Sequence, residues 1–498
     1  MKKFNYILLF GIFIFAFVLR VLYLPKNSLT FGYDQARDAY VSQQIIGGDL
    51  KILGPPASTP GLYHGVFYYY LLAPAYLLGH GSPVVAAYWI AFLNSLTVFI
   101  VFYLGYLMTK KRWVGILAAF FFAISFESAQ YATWLSNPTI GVWTVPLIYL
   151  GLWLWIKEKR NYAPIIAAVG LGLSIQSEIF LAYHLVPLVI WLWISRKNIT
   201  KNQVLTFTLS LLAVLSTMIL TEIKFGFKGI SGIKALLVAQ EPNLAYAKSV
   251  GDYLLLYLNQ IGRIFAFNSY PGNIGWGGGA VIALALYSLI KKDRIGAFLA
   301  TWLFAHIWVV TVGGVSTPFL MVGIGPAVSL MIAYYLSKFK PKIAMTFVLL
   351  VLVFGNLSMI FKENTKGATL FAIQKDMLLS KELAVIDYSY QEAGGNEFSI
   401  NTLTSPLYIN IVWSYLYKWY GFPKYGYLPS FHGRDQVGQI DSLDQSAKPK
   451  ETSFLILEPM AGIPSQYLDM TLGEEDVKTK PVSEKSFGEL RVQKRVLK

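Results

Sequence analysis

The run YILLFGIFIFAFVLRVLYL occupies Tyr6–Leu24, and FGYDQARDAY follows it at Phe31–Tyr40. The first run is apolar over a length that crosses a bilayer, and no small-residue cleavage site follows it. We therefore expect a retained first helix whose N-terminus lies inside. The second stretch places Asp34, Arg37 and Asp38 directly after that helix. Charges so close to hydrocarbon are costly, and this indicates a function for them.

The composition is that of a polytopic membrane protein. Of 498 residues, 55% are hydrophobic and only 14% are charged, and the mean hydropathy is +0.50. An ordinary soluble domain is far less apolar. The net charge of +15 lies largely in short loops between apolar runs, so the positive-inside bias explains it better than a nucleic-acid partner does. Cysteine is absent, which excludes disulfides and thiolate metal sites.

Apolar runs of bilayer-spanning length recur along the chain. The loops that would lie inside are short and basic, as the positive-inside rule requires, and the odd number of spans places the C-terminus outside. These loops are Lys110–Arg112, Lys157–Arg160, Arg196–Lys201, Lys291–Arg294 and Lys338–Lys342. The eleven predicted spans are 5–24, 84–108, 113–127, 138–156, 162–177, 179–194, 203–221, 274–290, 295–313, 316–336 and 342–361.

We expect two domains: a transmembrane domain over 1–361, with outer loops at 25–83 and 222–273, and a small extracytoplasmic mixed α/β domain over 362–498. In the first loop we predict a helix over Asp34–Ile46, capped by Asp34 and ended by Gly47-Gly48. We also predict an interfacial or re-entrant segment over Val66–Leu78. In the tail we predict strands over Glu397–Thr402 and Ser453–Leu457 and a helix over Leu370–Glu392.

The charged cluster can perform acid–base chemistry. In a helix, Asp34, Arg37 and Asp38 share one face. One aspartate can then accept a hydroxyl proton while the arginine binds an anion. The alternative is structural: Asp34 only caps the helix, and Asp38 pairs with Arg37 on a wet surface.

Other candidate binding residues are weaker when taken singly. Tyr63, His64 and Tyr69 present polar tips on flat rings that can hold a sugar or a lipid headgroup, although an aromatic belt at the interface explains them as well. Glu178 lies between two predicted spans, where an ionisable group is a functional hypothesis by default. Arg263 can neutralise a phosphate, or can simply extend its charge to the membrane surface.

The glycine-rich segment NSYPGNIGWGGG, at Asn268–Gly279, has neither the Walker spacing nor the dinucleotide fingerprint. Nucleotide binding is therefore not supported.

The order of these features resembles the GT-C superfamily of membrane glycosyltransferases. Within it the chain is most similar to the protein O-mannosyltransferases, the aminoarabinose transferases and the RgtA/B/C/D-like enzymes. The resemblance rests on the segment Asp34–Ala39 after an N-in first helix, then on Gly48-Asp49-Leu50, Pro60-Gly61-Leu62-Tyr63 and Tyr68-Tyr69-Tyr70. It covers the first ~200 residues in motifs and the rest only in layout.

The resemblance implies transfer of a hexosyl or pentosyl group from a polyprenyl-phosphate donor to a hydroxyl on the outer face of a plasma or inner membrane. The acceptor would be a protein, a lipid or a glycan. The resemblance also implies that Asp34 is the general base and that Arg37 and outer-loop cations hold the lipid phosphate. One base suffices for direct displacement, which inverts the anomeric configuration.

The chain departs from the family at Gln35, where a glutamate is frequent. With one carboxylate fewer, Asp38 becomes the alternative partner, and we predict no metal or other cofactor. Two other activities remain open. A transporter or flippase of lipid-linked saccharide is disfavoured because transporters place polar residues at the midplane and show repeats. A ligase using a polyprenyl-diphosphate donor remains compatible with the long outer loops.

Overall fold

The computed structural model describes residues 2–57, 61–232, 249–271, 274–313, 317–338, 342–436 and 441–498. Pro60 of the quoted motif and residues 233–248 and 272–273 of the second outer loop lie outside the described residues. Of the residues that the structure describes, 67% are helical.

Helices make up most of the apolar part of the chain. Two of them, α2 and α3, lie within residues 25–83, where a helix and an apolar segment are predicted. The helices are α1 (Lys2–Val21), α2 (Tyr33–Ile46), α3 (Phe67–Leu78), α4 (Pro83–Thr109), α5 (Arg112–Ile124), α6 (Phe126–Ala132), α7 (Gly141–Ile156), α8 (Ala163–Ser177), α9 (Leu185–Ile194), α10 (Lys201–Val214), α11 (Ser216–Lys224), α12 (Val250–Phe267), α13 (Ile274–Ile290), α14 (Arg294–Leu303), α15 (Ile307–Gly313), α16 (Gly325–Leu336) and α17 (Lys342–Glu363).

Within the described ranges, four helices are long and apolar enough to cross a membrane, judged by length and composition. The number rises to six if two bent pairs, α5 with α6 and α10 with α11, each form one span. The bends are 54° and 58°. Every predicted span contains helix, but several of these helices are short or broken. The predicted number of eleven therefore stays a prediction.

The bend between α5 and α6 is stabilised by a buried cation. Arg20 of α1 is fully buried and donates to the backbone oxygens of Ala123, at 3.0 Å, and Phe122, at 3.2 Å. It also donates to Asn94 Oδ1 at 2.7 Å. Carbonyls at a helix C-terminus lack intrahelical partners and carry partial negative charge. Arg20 thus provides hydrogen-bond donors for the last carbonyl groups of α5. The helix can therefore end there, and the chain turns into α6 at Ser125.

A small mixed domain follows α17. Its sheet has the order β2-β1-β3-β5-β4, in which β1 is parallel to β2 and β3 and the other pairs are antiparallel. The predicted strands correspond to β1 and β3, whereas the predicted helix over Leu370–Glu392 is wrong for its first turns and begins at Leu379. The elements are α18 (Leu379–Ala393), β1 (Phe398–Leu403), α19 (Ile411–Leu416), α20 (Phe422–Tyr425), β2 (Ser430–Phe431), β3 (Thr452–Leu457), α21 (Ser465–Lys478), β4 (Thr479–Phe487) and β5 (Leu490–Leu497).

The core of this domain continues into the first outer loop. One cluster of buried side chains includes Ile400 and Phe454 of the sheet, Trp413 of α19, and Ala36 and Ala39 of α2. Burial of this apolar surface is the main force that fixes α2 against the C-terminal domain. The opposite face of α2, which carries the charged cluster, is thereby held in a defined direction.

Candidate functional site

The start of α2 determines where Asp34 lies. Gly32 precedes the helix in an extended conformation, and its N–H donates to the side-chain oxygen of Gln35 at 2.9 Å. The prediction that Asp34 caps the helix is wrong, because Gly32 occupies that position and Asp34 lies in the first turn. A carboxylate in the first turn still interacts favourably with the helix N-terminus.

Asp34, Arg37 and Asp38 form a continuous ionic chain along one face of α2. Arg37 Nη1 donates to Asp34 Oδ1 at 2.7 Å, and Arg37 Nη2 and Nε donate to Asp38 Oδ1 at 2.6 and 2.9 Å. The side chains of Arg37 and Asp38 are buried, whereas that of Asp34 is 51% exposed. The carboxylate of Asp34 is therefore exposed to solvent, and the buried ion pair of Arg37 and Asp38 fixes its position.

Asp38 is buried rather than on a wet surface, so that part of the structural alternative is wrong. Its Oδ2 has no hydrogen-bond partner among the described residues. Burial raises the pKa of Asp38 to about 7, against the opposing effect of Arg37. The charge of Asp38 is therefore sensitive to pH near neutrality, and so is its pairing with Arg37.

Two tyrosines complete the surroundings of Arg37. The guanidinium lies 5.4 Å from the centre of the Tyr33 ring, an arrangement that favours a cation. Tyr69 of α3 is 3% exposed and lies near enough for the charge of Arg37 to lower the pKa of its phenol, although burial raises that pKa more. The structure thus brings Tyr69 to the cluster, as a wall beside the ion pair.

Tyr63 and His64 lie on a turn that docks against the end of α8. Pro56 and Tyr63 form an antiparallel bridge, and the N–H of Gly65 donates to Gln176 O at 2.8 Å. A Cβ on Gly65 would lie 2.8 Å from the backbone Cα of Gln176, so the close approach requires glycine. Tyr63 is 36% exposed and His64 is buried.

Glu178 meets His64 beneath this turn. Glu178 Oε1 lies 3.8 Å from His64 Nδ1, which accepts the Ile179 N–H at 3.2 Å, and the same carboxylate oxygen accepts the Phe180 N–H at 3.4 Å. Burial raises the pKa of Glu178 to about 8 and lowers that of His64 to about 3. Both groups are therefore uncharged near pH 7, and the contact positions the turn rather than forming an ion pair.

Arg263 belongs to a second group of polar residues. It lies on α12, with its guanidinium 5.5 Å from the Phe267 ring and 6.0 Å from the Phe371 ring. Within the described part of the chain it makes no hydrogen bond or ion pair. Nearby, Glu127 Oε2 accepts from Asn268 Nδ2 at 2.7 Å, and the other carboxylate oxygen is buried without a partner in the same part of the chain. Arg263 is therefore a cation with free donors.

Residues 369–371 lie between the Asp34 cluster and the polar group around Arg263 and Glu127. The N–H of Thr369 donates to Thr30 Oγ1 at 3.1 Å, just before α2, and the N–H of Leu370 donates to Gln130 Oε1 at 2.9 Å. Phe371, the next residue, stacks on the Tyr131 ring at 4.5 Å and also contacts Arg263. No contact between Arg263 and the Asp34 cluster occurs in the described residues.

Sequence analysis did not identify Arg20 as a structural residue. It also did not show that Glu127 and Asn268 belong to one buried polar group. A single arginine inside an apolar run was the available indication for Arg20. The partners of Glu127 come from helices far apart in the chain, so no local pattern identifies them.

The arrangement provides a half-exposed carboxylate on Asp34 with one oxygen held by Arg37, a buried ion pair that orients it, and aromatic walls. It also provides the guanidinium of Arg263, which has no hydrogen-bond partner among the described residues. An exposed carboxylate can accept a proton, and an unpaired guanidinium can hold a phosphate in a bidentate contact.

Two solved structures share this fold over nearly the whole chain. The crystal structure of ArnT from Cupriavidus metallidurans in the apo state matches with a TM-score of 0.60 and 11% identity, covering 97% of each chain. The same protein bound to undecaprenyl phosphate matches with a TM-score of 0.61 and 10% identity, covering 99% of this chain and 98% of that one. No protein-family model and no curated protein sequence matches the chain.

Proposed function

Since the chain has the fold of the GT-C superfamily, we propose that it is a glycosyltransferase that moves a sugar from a polyprenyl-phosphate donor to an acceptor hydroxyl. The half-exposed carboxylate of Asp34, fixed by Arg37 at 2.7 Å, is the observation that supports this most directly. The full-length similarity to a structure solved with undecaprenyl phosphate supports the class of donor.

In the proposed reaction the acceptor hydroxyl loses its proton to the Asp34 carboxylate. The oxygen then forms a bond to the anomeric carbon from the face opposite the phosphate. The bond between that carbon and the phosphate oxygen breaks, and its electron pair leaves with the polyprenyl phosphate. This single displacement inverts the anomeric configuration and needs no second carboxylate as a nucleophile.

We assign Arg37 to orienting Asp34 rather than to the lipid phosphate. Its Nε and both of its terminal nitrogens are already engaged by Asp34 and Asp38. A phosphate at this place would have to compete with two carboxylates for the same donors.

Arg263 is the better candidate for the lipid phosphate. Its guanidinium lies against two phenylalanine rings and makes no polar contact in the described ranges. Positive charge near the leaving phosphate stabilises the charge that develops there during transfer.

Tyr63 on the first-loop turn and Tyr69 on α3 are proposed to contact the sugar or the headgroup. His64 and Glu178 are buried beneath that turn, and we assign them to holding it in place. The proposal uses no metal.

We further propose that residues 1–361 form the transmembrane domain and 362–498 the extracytoplasmic one, with the N-terminus cytoplasmic. In this orientation α2 and the Asp34 cluster lie on the outer face. A membrane-impermeant label attached to an engineered cysteine at exposed Asp49 or exposed Glu392 should react from outside in intact cells. Reaction only after lysis would contradict the orientation.

The activity can be tested with purified protein in lipid nanodiscs and a panel of polyprenyl-phosphate sugars. We expect one donor to be consumed, with release of polyprenyl phosphate and a product of inverted configuration. Movement of the lipid-linked sugar across the membrane without its consumption would instead identify a flippase. Consumption of only polyprenyl-diphosphate glycans would identify a ligase.

A further inference from the structure

The face of α2 opposite the Asp34 cluster lines a separate cavity of about 660 Å³. Tyr40, Gln43 and Gly47 follow one another at three- and four-residue spacing, so they share this second face. The other walls come from the end of α3 and from the C-terminal domain, including Trp419. The volume falls in the range of roughly 300–1,000 Å³ that is typical of small-molecule sites.

The aromatic wall of this cleft is fixed in place. The indole N–H of Trp419 donates to His80 O at 3.1 Å, and its ring lies 6.5 Å from that of Tyr415 at an angle of 23°. Tyr415 donates to Gly81 O at 2.6 Å and accepts from Gln43 Nε2 at 2.9 Å. Tyr415 is itself buried and supports Trp419 from behind. Because the indole N–H of Trp419 is used by the protein, the partly exposed face of its ring remains for contact with a ligand.

Trp419 lies in a π-helical turn at 417–421. Such turns are uncommon and occur frequently at functional sites. The turn also carries Lys418, so it brings an aromatic ring and a charged group to the same wall.

The charges of the cleft cancel one another. Lys418 Nζ lies 2.7 Å from Asp441 Oδ1 and donates to Ser442 O at 2.9 Å. Tyr76 also lines the cleft, and its hydroxyl is buried without a hydrogen-bond partner among the described residues. The site therefore favours a neutral ligand, whose hydroxyl groups can bond to the partly exposed carboxylate of Asp441.

We propose that this cleft binds a neutral saccharide, at a site distinct from that of the transferred sugar. A pyranose ring has apolar C–H faces that stack on aromatic side chains, and its hydroxyl groups hydrogen-bond to amides and carboxylates. The ring of Trp419, the amide of Gln43 and the carboxylate of Asp441, all of which line the cleft, match both parts of that ligand. A proline-rich peptide also packs on aromatic rings, and its binding is the alternative outcome of the test.

The full chain in nanodiscs, free of sugar-based detergent, is titrated with the neutral trisaccharides mannotriose, maltotriose and cellotriose by ligand-observed NMR. We expect one of them to bind, and Trp419→Ala to weaken that binding at least tenfold. Asp441→Asn, which keeps the size of the side chain, is expected to weaken it several-fold. Phe422→Ala, at a 50% exposed aromatic that does not line the cleft, is the matched control and should bind as the native chain does.

Asp34→Asn should bind the trisaccharide unchanged, so failure of the proposed transfer reaction and failure of the cleft are distinguishable. Trp419→Phe retains a ring and serves if Trp419→Ala does not fold. The proposal is overturned if no trisaccharide binds, if folded Trp419 variants and Asp441→Asn bind with native affinity, or if a proline-rich decapeptide binds in preference to every saccharide.

Discussion

Arg37 donates from Nη1 to Oδ1 of Asp34 at 2.7 Å, one turn apart on the same face of α2. The other oxygen of Asp34 makes no hydrogen bond within the described part of the chain, on a side chain that is 51% exposed. One oxygen of the carboxylate is thus fixed and the other is available to an incoming hydroxyl. A general base requires this combination of fixed geometry and a free acceptor.

The ion pair between Arg37 and Asp38, which holds Arg37 against Asp34, should depend on pH. Burial raises the pKa of Asp38 to about 7, so lowering the pH through that value adds a proton and weakens its pairing with Arg37. We expect kcat/KM of the native enzyme to fall on the acidic side of about pH 7. In Asp38→Asn the rate should be low and should lack this part of the pH profile.

Asp49→Asn is the control for this prediction, because Asp49 lies in the same loop with a side chain that is 60% exposed. It should keep the native profile. A native rate and an unchanged profile in Asp38→Asn would show that Asp38 does not support Arg37.

Replacement of Arg263 should weaken use of the donor. A hydrogen bond to a charged group contributes about 1.5–3 kcal/mol, so Arg263→Gln is expected to lower kcat/KM for the donor about tenfold or more. Arg263→Lys should recover part of this loss because it keeps the charge. Lys224→Gln, at an exposed cation at the end of α11, should change little. Equal effects of the Arg263 and Lys224 variants would remove Arg263 from the phosphate site.

The C-terminal domain contains a buried pair of acids with a predictable effect on stability. Neither carboxyl oxygen of Glu382 has a partner within the described residues, and Glu458 accepts the Ser405 N–H at 2.9 Å and the Trp413 Nε1–H at 3.1 Å. Burial raises the pKa of both groups, that of Glu458 to about 7, and the charge of Glu458 raises that of Glu382 further.

A carboxyl group whose pKa is raised by folding binds more protons in the folded state than in the unfolded state. Between about pH 4.5 and the folded pKa, the free energy of unfolding therefore falls as the pH rises. We expect the midpoint of thermal unfolding to decrease over this window, and Glu382→Gln to raise it at pH 8 but not at pH 4.5.

Glu392→Gln, on the same helix with a side chain that is 41% exposed, is the control and should follow the native curve. A lower midpoint for Glu382→Gln at pH 8 would mean that Glu382 is ionised and stabilising in the folded domain.

Removal of divalent metals should leave transfer unchanged. The proposed chemistry needs only the carboxylate of Asp34 and a cation at the phosphate, which Arg263 supplies. Dialysis against EDTA followed by a rate measurement tests this. Loss of activity that added Mg²⁺ or Mn²⁺ restores would contradict the assignment of these two roles to side chains alone.

The sequence predicted α2 to within one residue, because its apolar and charged faces are regular and Gly47-Gly48 follow it. It also predicted the positions of β1 and β3, and the order of its motifs indicated the fold that the chain shares with the solved ArnT structures. These features depend on local periodicity or on motif order. The role of Gly32 in place of Asp34 was not predictable, because it depends on how Gln35 folds back on the preceding turn.

The hairpin of β4 and β5 was not predicted. β4 contains Pro481 and several charges, which lowers its local preference for a strand. It lies at the edge of the sheet, where proline is tolerated, and its register shifts between Pro481 and Ser483. Hydrogen bonds to β5 therefore stabilise β4 as a strand, although its own sequence has a low strand preference. The burial of Asp38 likewise depends on packing against α3, which no pattern within FGYDQARDAY reveals.

The most direct test of the role of Asp34 measures sugar transfer by Asp34→Asn beside Asp49→Asn, with the donor that the native chain consumes. We predict that Asp34→Asn loses about 10²–10⁴-fold of the transfer rate, the usual contribution of a positioned base, while its thermal unfolding midpoint stays native. Asp49→Asn is predicted to transfer at the native rate. Full activity in folded Asp34→Asn would contradict the central claim that Asp34 is the general base.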